Sequence, residues 1–367
     1  MRRAGRDNGA AGEHDSGPVL ITGGAGFIGT NLADRLLTDG RRVVILDNLS
    51  RCGVERNAQW LLARHGKRVS LQVGDVRDPR ALRRAVRGVS QVFHFAAQVA
   101  VTTSLGDPME DFEVNARGTL NLLEAMRAEP HPPSVVFTST NKVYGDLEDL
   151  ELTAEGRRYT PANPHVSRHG IGEERPLSFH SPYGCSKGTA DQYVLDYART
   201  FKVPGVVFRM SCIYGPHQCG TEDQGWVAHF LIRAIEGQPI VVYGDGLQVR
   251  DILFVEDLVD AFLRAQAAMP LVSGHAFNIG GGPRNTISLV ELLDHIEALH
   301  GERPHVEFDA WRAADQRYYV SDTRRFQAAT NWRQAATVSK GLGQLYGWLA
   351  DTRTSSVAPL ATGTVAS

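Results

Sequence analysis

Pro18-Val19-Leu20-Ile21-Thr22-Gly23-Gly24-Ala25-Gly26-Phe27-Ile28-Gly29 is the stretch on which the fold turns. Its first five residues, 18–22, are a short apolar run of the kind that forms a buried strand. That run enters a GxxGxxG turn, after which Ile28, Leu32, Leu36 and Leu37 recur at helical spacing between Gly26 and Gly40. Glycines at these spacings let the chain turn sharply, admit a pyrophosphate and bring helix close to strand. The helix start adds free N–H groups and the positive end of its dipole. Three glycines alone are a weak sign; a strand before them, a helix after them and an acid ending the next strand make the sign specific.

Working outward, apolar runs alternate with helical patterns. Strands are expected at 42–47, 68–73, 92–96 and 134–139, with helices at 55–65, 79–87 and 108–128 between them. Continuous apolar strands separated by helices imply a parallel sheet covered on both faces, so the fold class is α/β: a doubly wound parallel sheet of Rossmann type. Beyond residue 210 the pattern loosens. Helices near 225–236, 256–268 and 286–299 and strands near 239–243 and 249–254 predict a smaller, mostly helical C-terminal substrate lobe. The expected organisation is a disordered leader over 1–17, a dinucleotide-binding domain over 18–210, a lobe over 211–351 and a disordered tail over 352–367.

The 367 residues hold 42% hydrophobic and 22% charged side chains, enough to fill a large core under a polar surface. A net charge near −2 offers no basic excess for a nucleic-acid partner. No window is long and apolar enough to span a membrane, and no signal-peptide pattern follows Met1-Arg2-Arg3, so the expected compartment is the cytoplasm. The cysteines, Cys52, Cys185, Cys212 and Cys219, form no CxxC pair and have no zinc spacing, which makes them reduced structural thiols and leaves no metal site.

Asp47 closes the second strand about twenty residues after the glycine turn. A carboxylate there accepts bonds from both ribose hydroxyls and repels a 2′-phosphate, so NAD is expected over NADP, although Arg51 is near enough to meet a phosphate. Asp75 is placed to meet the adenine. The small residues Ala96 and Ala97 would let the dinucleotide come close, or serve packing alone. Further along, Ser181-Pro182-Tyr183-Gly184-Cys185-Ser186-Lys187 contains Tyr-x-x-x-Lys. On a helix these two side chains share a face, and the ammonium is expected to favour the phenolate of Tyr183. Tyr183 could then exchange a proton with a sugar hydroxyl while hydride passes to nicotinamide. Thr138-Ser139-Thr140, at the end of an apolar strand, supplies a hydroxyl for the reacting alcohol.

These stations resemble the extended short-chain dehydrogenase/reductases over roughly residues 18–350, and within them the CDP-paratose 2-epimerase group. The stretches that carry the likeness are DNLSR (47–51), QVAVTTS (98–104), STNKVYGDLE (139–148), FHSPYGCSKGTADQYVLDYAR (179–199), DQGWV (223–227) and QVRDILFVEDL (248–258). The resemblance implies a tightly held NAD, a nucleotide-diphosphate sugar as substrate and oxidation at C2 to a 2-keto intermediate. The intermediate presents its other face, and the hydride returns to it. It implies Tyr183 as base, Lys187 as its support and Thr140 as hydroxyl partner. The cofactor set it implies is Gly23, Gly26, Phe27, Ile28, Gly29, Asp47, Asn48, Arg51, Asp75, Val76, Ala96, Ala97, Gln98 and Asn115, together with Tyr183 and Lys187. For the substrate it implies Thr103, Asn141, Lys142, Ser211, Arg250 and Arg317, the two guanidiniums holding the diphosphate, and for the assembly a homo-oligomer, dimer or tetramer. The chain departs from the group at Tyr214-Gly215-Pro216-His217 and along 151–178. A nucleotide-sugar 4-epimerase uses the same residues and stays open as an alternative. A 4,6-dehydratase needs an Asp-Glu pair where this chain has Asn141 and Lys142.

Overall fold

The computed structural model describes residues 17–312 and 315–357. Seven strands form the main sheet: β1 (Val19–Thr22), β2 (Val43–Asp47), β3 (Val69–Val73), β4 (Gln91–His94), β5 (Ser134–Thr140), β6 (Gly205–Met210) and β7 (Ala276–Ile279). All pairings are parallel and the order is β7-β6-β5-β4-β1-β2-β3. The direction of winding reverses between β1 and β4, and at such a switch point the strand ends open a crevice for a ligand. Every residue of β1 is buried, as a strand covered on both faces requires. Two apolar clusters, one on each face, fix the sheet; Val19, Ile21 and Ile45 belong to one, Leu20, Val92 and Val135 to the other.

Helix α1 (Phe27–Thr38) follows the glycine turn, and α2 (Val54–His65) follows β2. The helix expected over 108–128 is present but is not uniformly α: Pro108–Phe112 and Gly118–Arg127 flank a π-helical segment, Glu113–Arg117. The wider turn aims Asn115 inward, toward Gln98 beyond the end of β4, and such insertions tend to mark working parts of helices.

The chain after Met210 does not form a separate body. The strand Cys212–Tyr214 pairs with Val249–Phe254, which also pairs with Thr286–Ser288 and Tyr318–Tyr319. Helices Trp226–Ile235, Leu289–His300 and Val338–Val357 pack around it in their own apolar cluster. Between these pieces, helix Val255–Ala267 packs against α1, and β7 then completes the edge of the main sheet. The expected division near residue 210 is therefore crossed more than once. The segment 151–178 folds as a hairpin, Leu152–Glu155 with Arg158–Pro161, followed by a short helix, Pro164–His169.

At the C-terminal end the expectation of an irregular tail from Thr352 is corrected. The last helix runs on to Val357; Thr352 Oγ1 bonds the Trp348 carbonyl at 2.7 Å, and Arg353 pairs with Glu236. Residues 358–367 of that tail, and 1–16 of the expected leader, lie outside the described residues.

Candidate active site

A cavity of about 530 Å³ opens at the strand ends beside the switch point. At one end its wall is the glycine turn: Gly23, Gly26, Phe27, Ile28 and Gly29. The turn is closed tightly by its own geometry. Gly23 has φ +68°, and a Cβ on it would lie 2.6 Å from the Ala96 nitrogen; one on Gly29 would lie 2.5 Å from the Gly24 Cα. At Gly26 a Cβ would meet only the Gly23 carbonyl, at 3.2 Å, so this backbone is left bare toward the cavity. Bare backbone at the start of α1 is what a pyrophosphate needs, and the residues present fit NAD.

Asp47 braces this turn from below rather than lining the cavity. Its Oδ2 accepts from the Ala25 N–H at 3.0 Å and its Oδ1 from the Leu49 N–H at 2.9 Å. Burial pushes its carboxyl above the ordinary range, opposed by those two N–H bonds. Each oxygen keeps a further lone pair for a hydroxyl. Asn48 donates to Asp75 at 2.9 Å, and Asp75 is also gripped by Arg77, whose bond holds that carboxyl down at about 2. The Asp75 carboxylate is thus engaged in a surface ion pair, and neither it nor Val76, which packs under Gly118, reaches the cavity. Arg51 and Ala97 do line it; Ala96 and Gln98 do not.

Asn115, buried on the π segment, acts at one remove. Its Oδ1 accepts from the Gln98 N–H at 2.9 Å, while its Nδ2 donates to the Gln98 carbonyl at 3.0 Å and to Ser186 Oγ at 3.1 Å. One amide therefore ties the end of β4 to the helix Ser181–Thr200. His94 performs a similar service, its ring held between Thr22 Oγ1 at 2.6 Å and Thr119 Oγ1 at 3.0 Å. Burial pushes that imidazole down to about 3, so it is neutral, and Lys187 adds to the effect.

Thr140 ends β5, and Tyr183 and Lys187 lie one turn apart at the start of helix Ser181–Thr200; all three line the cavity. The Thr140 hydroxyl favours the charged form of the nearby Tyr183 phenol, and the Tyr183 N–H donates to Ser104 Oγ at 3.2 Å. Without a cofactor, burial pushes the Tyr183 phenol up to about 12; Thr140 and Arg51 oppose this only in part, and the ammonium one turn along is not among the groups that shift it. Lys187 Nζ instead lies 4.3 Å from the centre of the Phe137 ring, and burial brings it down to about 7 despite Asp111 and Asp191 nearby. Desolvation outweighs pairing at both groups.

Further along the wall come Asn141, Lys142, Ser211 and Arg250, all in the cavity lining. Arg250 donates to Asp315 Oδ1 at 2.7 Å. Burial, with Arg250 beside it, pulls the Lys142 ammonium down to about 8. Two residues expected here are elsewhere. Thr103 is exposed, and its neighbour Thr102 faces the cavity, because 101–106 is a helix whose inner face is Val101, Thr102 and Leu105. Arg317 is exposed too, lying 5.3 Å from the Trp311 ring; alternation turns the neighbouring Gln316 inward, where it accepts from Asn141 Nδ2 at 3.0 Å. A third guanidinium in the wall, after Arg51 and Arg250, is Arg312, 3.9 Å from the Tyr243 ring and paired with Glu222 at 2.9 Å. Sequence reasoning missed it; DQGWV and QVRD flank the place, but nothing in the sequence marks the phase of 311–317.

Three residues of the lining each carry a buried polar atom with no hydrogen-bond partner among the described residues: Ser139 Oγ, Gln218 Oε1 and Gln248 Oε1. Gln248 is 1% exposed, and its Nε2 donates to the Tyr243 carbonyl at 2.7 Å, which leaves Oε1 as a fixed acceptor. Gln248 and Arg250 are two apart around an extended strand, hence on one face.

Comparison with known proteins gives the context. The profile of the NAD dependent epimerase/dehydratase family matches residues 19–280. The chain is 41% identical over 337 residues to a CDP-paratose 2-epimerase of Salmonella typhi, covering 90% of this chain and 98% of that one. It is 32% identical to a UDP-glucose 4-epimerase of Mycolicibacterium smegmatis, covering 89% and 96%. Among solved structures it is similar to a UDP-glucose 4-epimerase of Thermus thermophilus in complex with NAD, at a TM-score of 0.75 and 30% identity over 91% and 99% of the two chains.

Proposed function

This chain belongs to the NAD dependent epimerase/dehydratase family, and from that premise we propose that it inverts C2 of the hexose in a CDP-activated sugar, through a 2-keto intermediate. It is an NAD-dependent nucleotide-sugar epimerase; the carbon and the base are the finer reading. The observation that supports it best is that Thr140, Tyr183 and, one turn on, Lys187 line the same cavity as the glycine turn. NAD, when bound, supplies the hydride acceptor and a positive ring charge.

In this reading Thr140 and Tyr183 hold the reacting hydroxyl, and Tyr183 takes its proton as the carbinol is oxidised. A phenol pushed up to about 12 by burial is poor at that in the empty pocket. Positive charge brought beside it, added to Arg51, shifts it toward the phenolate. For the return step the neutral phenol is the correct form, since the proton goes back to the re-formed hydroxyl. Lys142, Arg250 and Arg312 attract the diphosphate. Asn141 and Lys142 supply no carboxyl group beside Thr140, so the elimination of water that a 4,6-dehydratase performs has no acid–base pair here.

The preference for cytidine rests on the 41% identity to the CDP-paratose 2-epimerase over nearly the whole of both chains. Inversion at C4 is the competing reading, motivated by the 32% identity to the 4-epimerase. We assign the enzyme to the cytoplasm, since none of the helices searched is long and apolar enough to cross a membrane. A homo-oligomer is proposed too, on the exposed Met109 and Phe112 together with Tyr193 of helix Ser181–Thr200.

The test is incubation with CDP-, UDP- and GDP-sugars in deuterated water, followed by NMR. Inversion at C2 of a CDP-hexose without deuterium uptake is expected. Inversion at C4 would replace the reading, and deuterium at the inverted carbon would exclude hydride return.

A further inference from the structure

Cys52 and Cys219 stand 167 residues apart in sequence, yet their sulfurs lie 3.6 Å from each other. Both are exposed free thiols. Each follows a residue that lines the cavity, Arg51 and Gln218 respectively. Cys52 belongs to the loop between β2 and α2, on the cofactor side. Cys219 belongs to the loop 215–224, which leads from the strand Cys212–Tyr214 to the helix Trp226–Ile235. The 215–224 loop is already tied to the cofactor side by α1, α2 and the loop between β2 and α2. Asn57 Nδ2 donates to the His217 carbonyl at 3.3 Å, Asn31 Nδ2 to the Pro216 carbonyl at 2.9 Å, and Arg51 to Gln224. Gly53, φ +82°, would bring a Cβ to 3.4 Å from the Cys219 Cβ, so the backbones meet as closely as side chains allow. The other two cysteines differ: Cys185 is exposed with no sulfur near it among the described residues, and Cys212 accepts from Trp226 Nε1 at 3.4 Å.

We propose that Cys52 and Cys219 form a reversible oxidation site, a disulfide that staples the cofactor-side loop to the 215–224 loop and holds NAD in its pocket. A small disulfide of the glutathione class is a sufficient oxidant. One protein thiolate attacks a sulfur of that disulfide and expels a small thiolate; the second protein thiolate attacks the resulting mixed disulfide at the protein sulfur and expels the other. Two protein S–H bonds are replaced by one S–S bond, the small disulfide accepts the two electrons, and the two protons end on the released thiols. Motion is the consequence. For the dinucleotide to leave, the wall formed by Arg51 and Gln218 has to part, and the cross-link joins the residues immediately next to both.

The site is tested on the full chain carrying Cys185→Ser, loaded with NAD and treated with glutathione disulfide, at a temperature where the reduced protein exchanges labelled NAD within hours. The intact mass is expected to fall by that of two hydrogens, with a Cys52–Cys219 peptide in the digest. NAD exchange is expected to slow by about tenfold or more, as a fastened lid should make it, and to recover with dithiothreitol. The additional change Cys219→Ser is expected to leave one glutathione on Cys52 and exchange as fast as in the reduced chain. Stable glutathione adducts on both sulfurs would overturn the site, and a cross-link with unchanged exchange would overturn its role. No sugar is turned over in this experiment, so its outcome is independent of which carbon the enzyme inverts.

Discussion

Two neighbouring side chains at the centre of the site are pushed in opposite directions by one cause. Burial raises the Tyr183 phenol to about 12 and lowers the Lys187 ammonium to about 7, and each shift favours the uncharged form. Tyr183→Phe keeps the packing and removes the proton. Turnover is expected to fall at least about a hundredfold, as it does when a positioned acid–base group is lost. NAD content, measured on the denatured protein, is expected to stay unchanged; near-normal turnover would remove Tyr183 from the reaction. Lys142 governs a pH effect. Burial and Arg250 bring it to about 8, so the free enzyme carries this cation below that pH and loses it above. A diphosphate is then attracted less, and kcat/KM should fall as pH rises through about 8, with the fall absent in Lys142→Met. A flat profile across that pH in the parent enzyme, or a fall that persists in the variant, would contradict this. None of these shifts is legible in the sequence, because i and i+4 spacing gives adjacency but not the dryness of the place. For that reason the sequence shows Tyr183 beside a cation but not the burial that holds its phenol protonated in the empty pocket.

At the scale of elements, features whose physics is local were legible and features set by distant packing were not. The strand, glycine turn and helix at 18–38 declare themselves because steric freedom and periodicity act over a few residues. Thr140 at a strand end and Tyr183 with Lys187 on one helix face are local in the same sense, and the cavity brings all three together. Thr103 and Arg317 failed for related reasons: one residue of phase turns a side chain by about 100° on a helix and to the opposite face of an extended segment, and neighbouring elements decide that phase. The π segment is a further case. Its effect is to aim Asn115 at Gln98 and Ser186, contacts 17 and 71 residues away. Asn115→Ala would leave the Gln98 N–H and C=O unpaired in the interior, at a cost of roughly 2–3 kcal/mol in total. Thermal unfolding should show this as a loss of a few degrees, with turnover reduced because β4 and the helix Ser181–Thr200 lose their common anchor. A variant as stable as the parent would show that water replaces the amide there.

For the molecule as a whole, the decisive fact is that the chain leaves the main sheet after β6 and returns to it as β7. Asp191 and Arg209, both buried, join helix Ser181–Thr200 to β6 at 2.9 Å, and β7 pairs with β6 along its length. The last helix reaches back as well: the Trp348 ring packs at a tilt against His217, and His217 likewise against Trp60 of α2, with ring centres 5.2 and 4.4 Å apart. These ties leave little room for the two parts to unfold one at a time, and the cavity draws its walls from both. NAD binding should therefore stabilise the whole chain together. At about a hundred times its dissociation constant the dinucleotide adds about 2.7 kcal/mol, which should move one cooperative transition upward by a few degrees without splitting it. Calorimetry of protein stripped of NAD and then reloaded would measure this. If two transitions appeared and only one moved with NAD, the cofactor-binding part would be an independent unit, and the return of β7 would be packing without cooperative consequence.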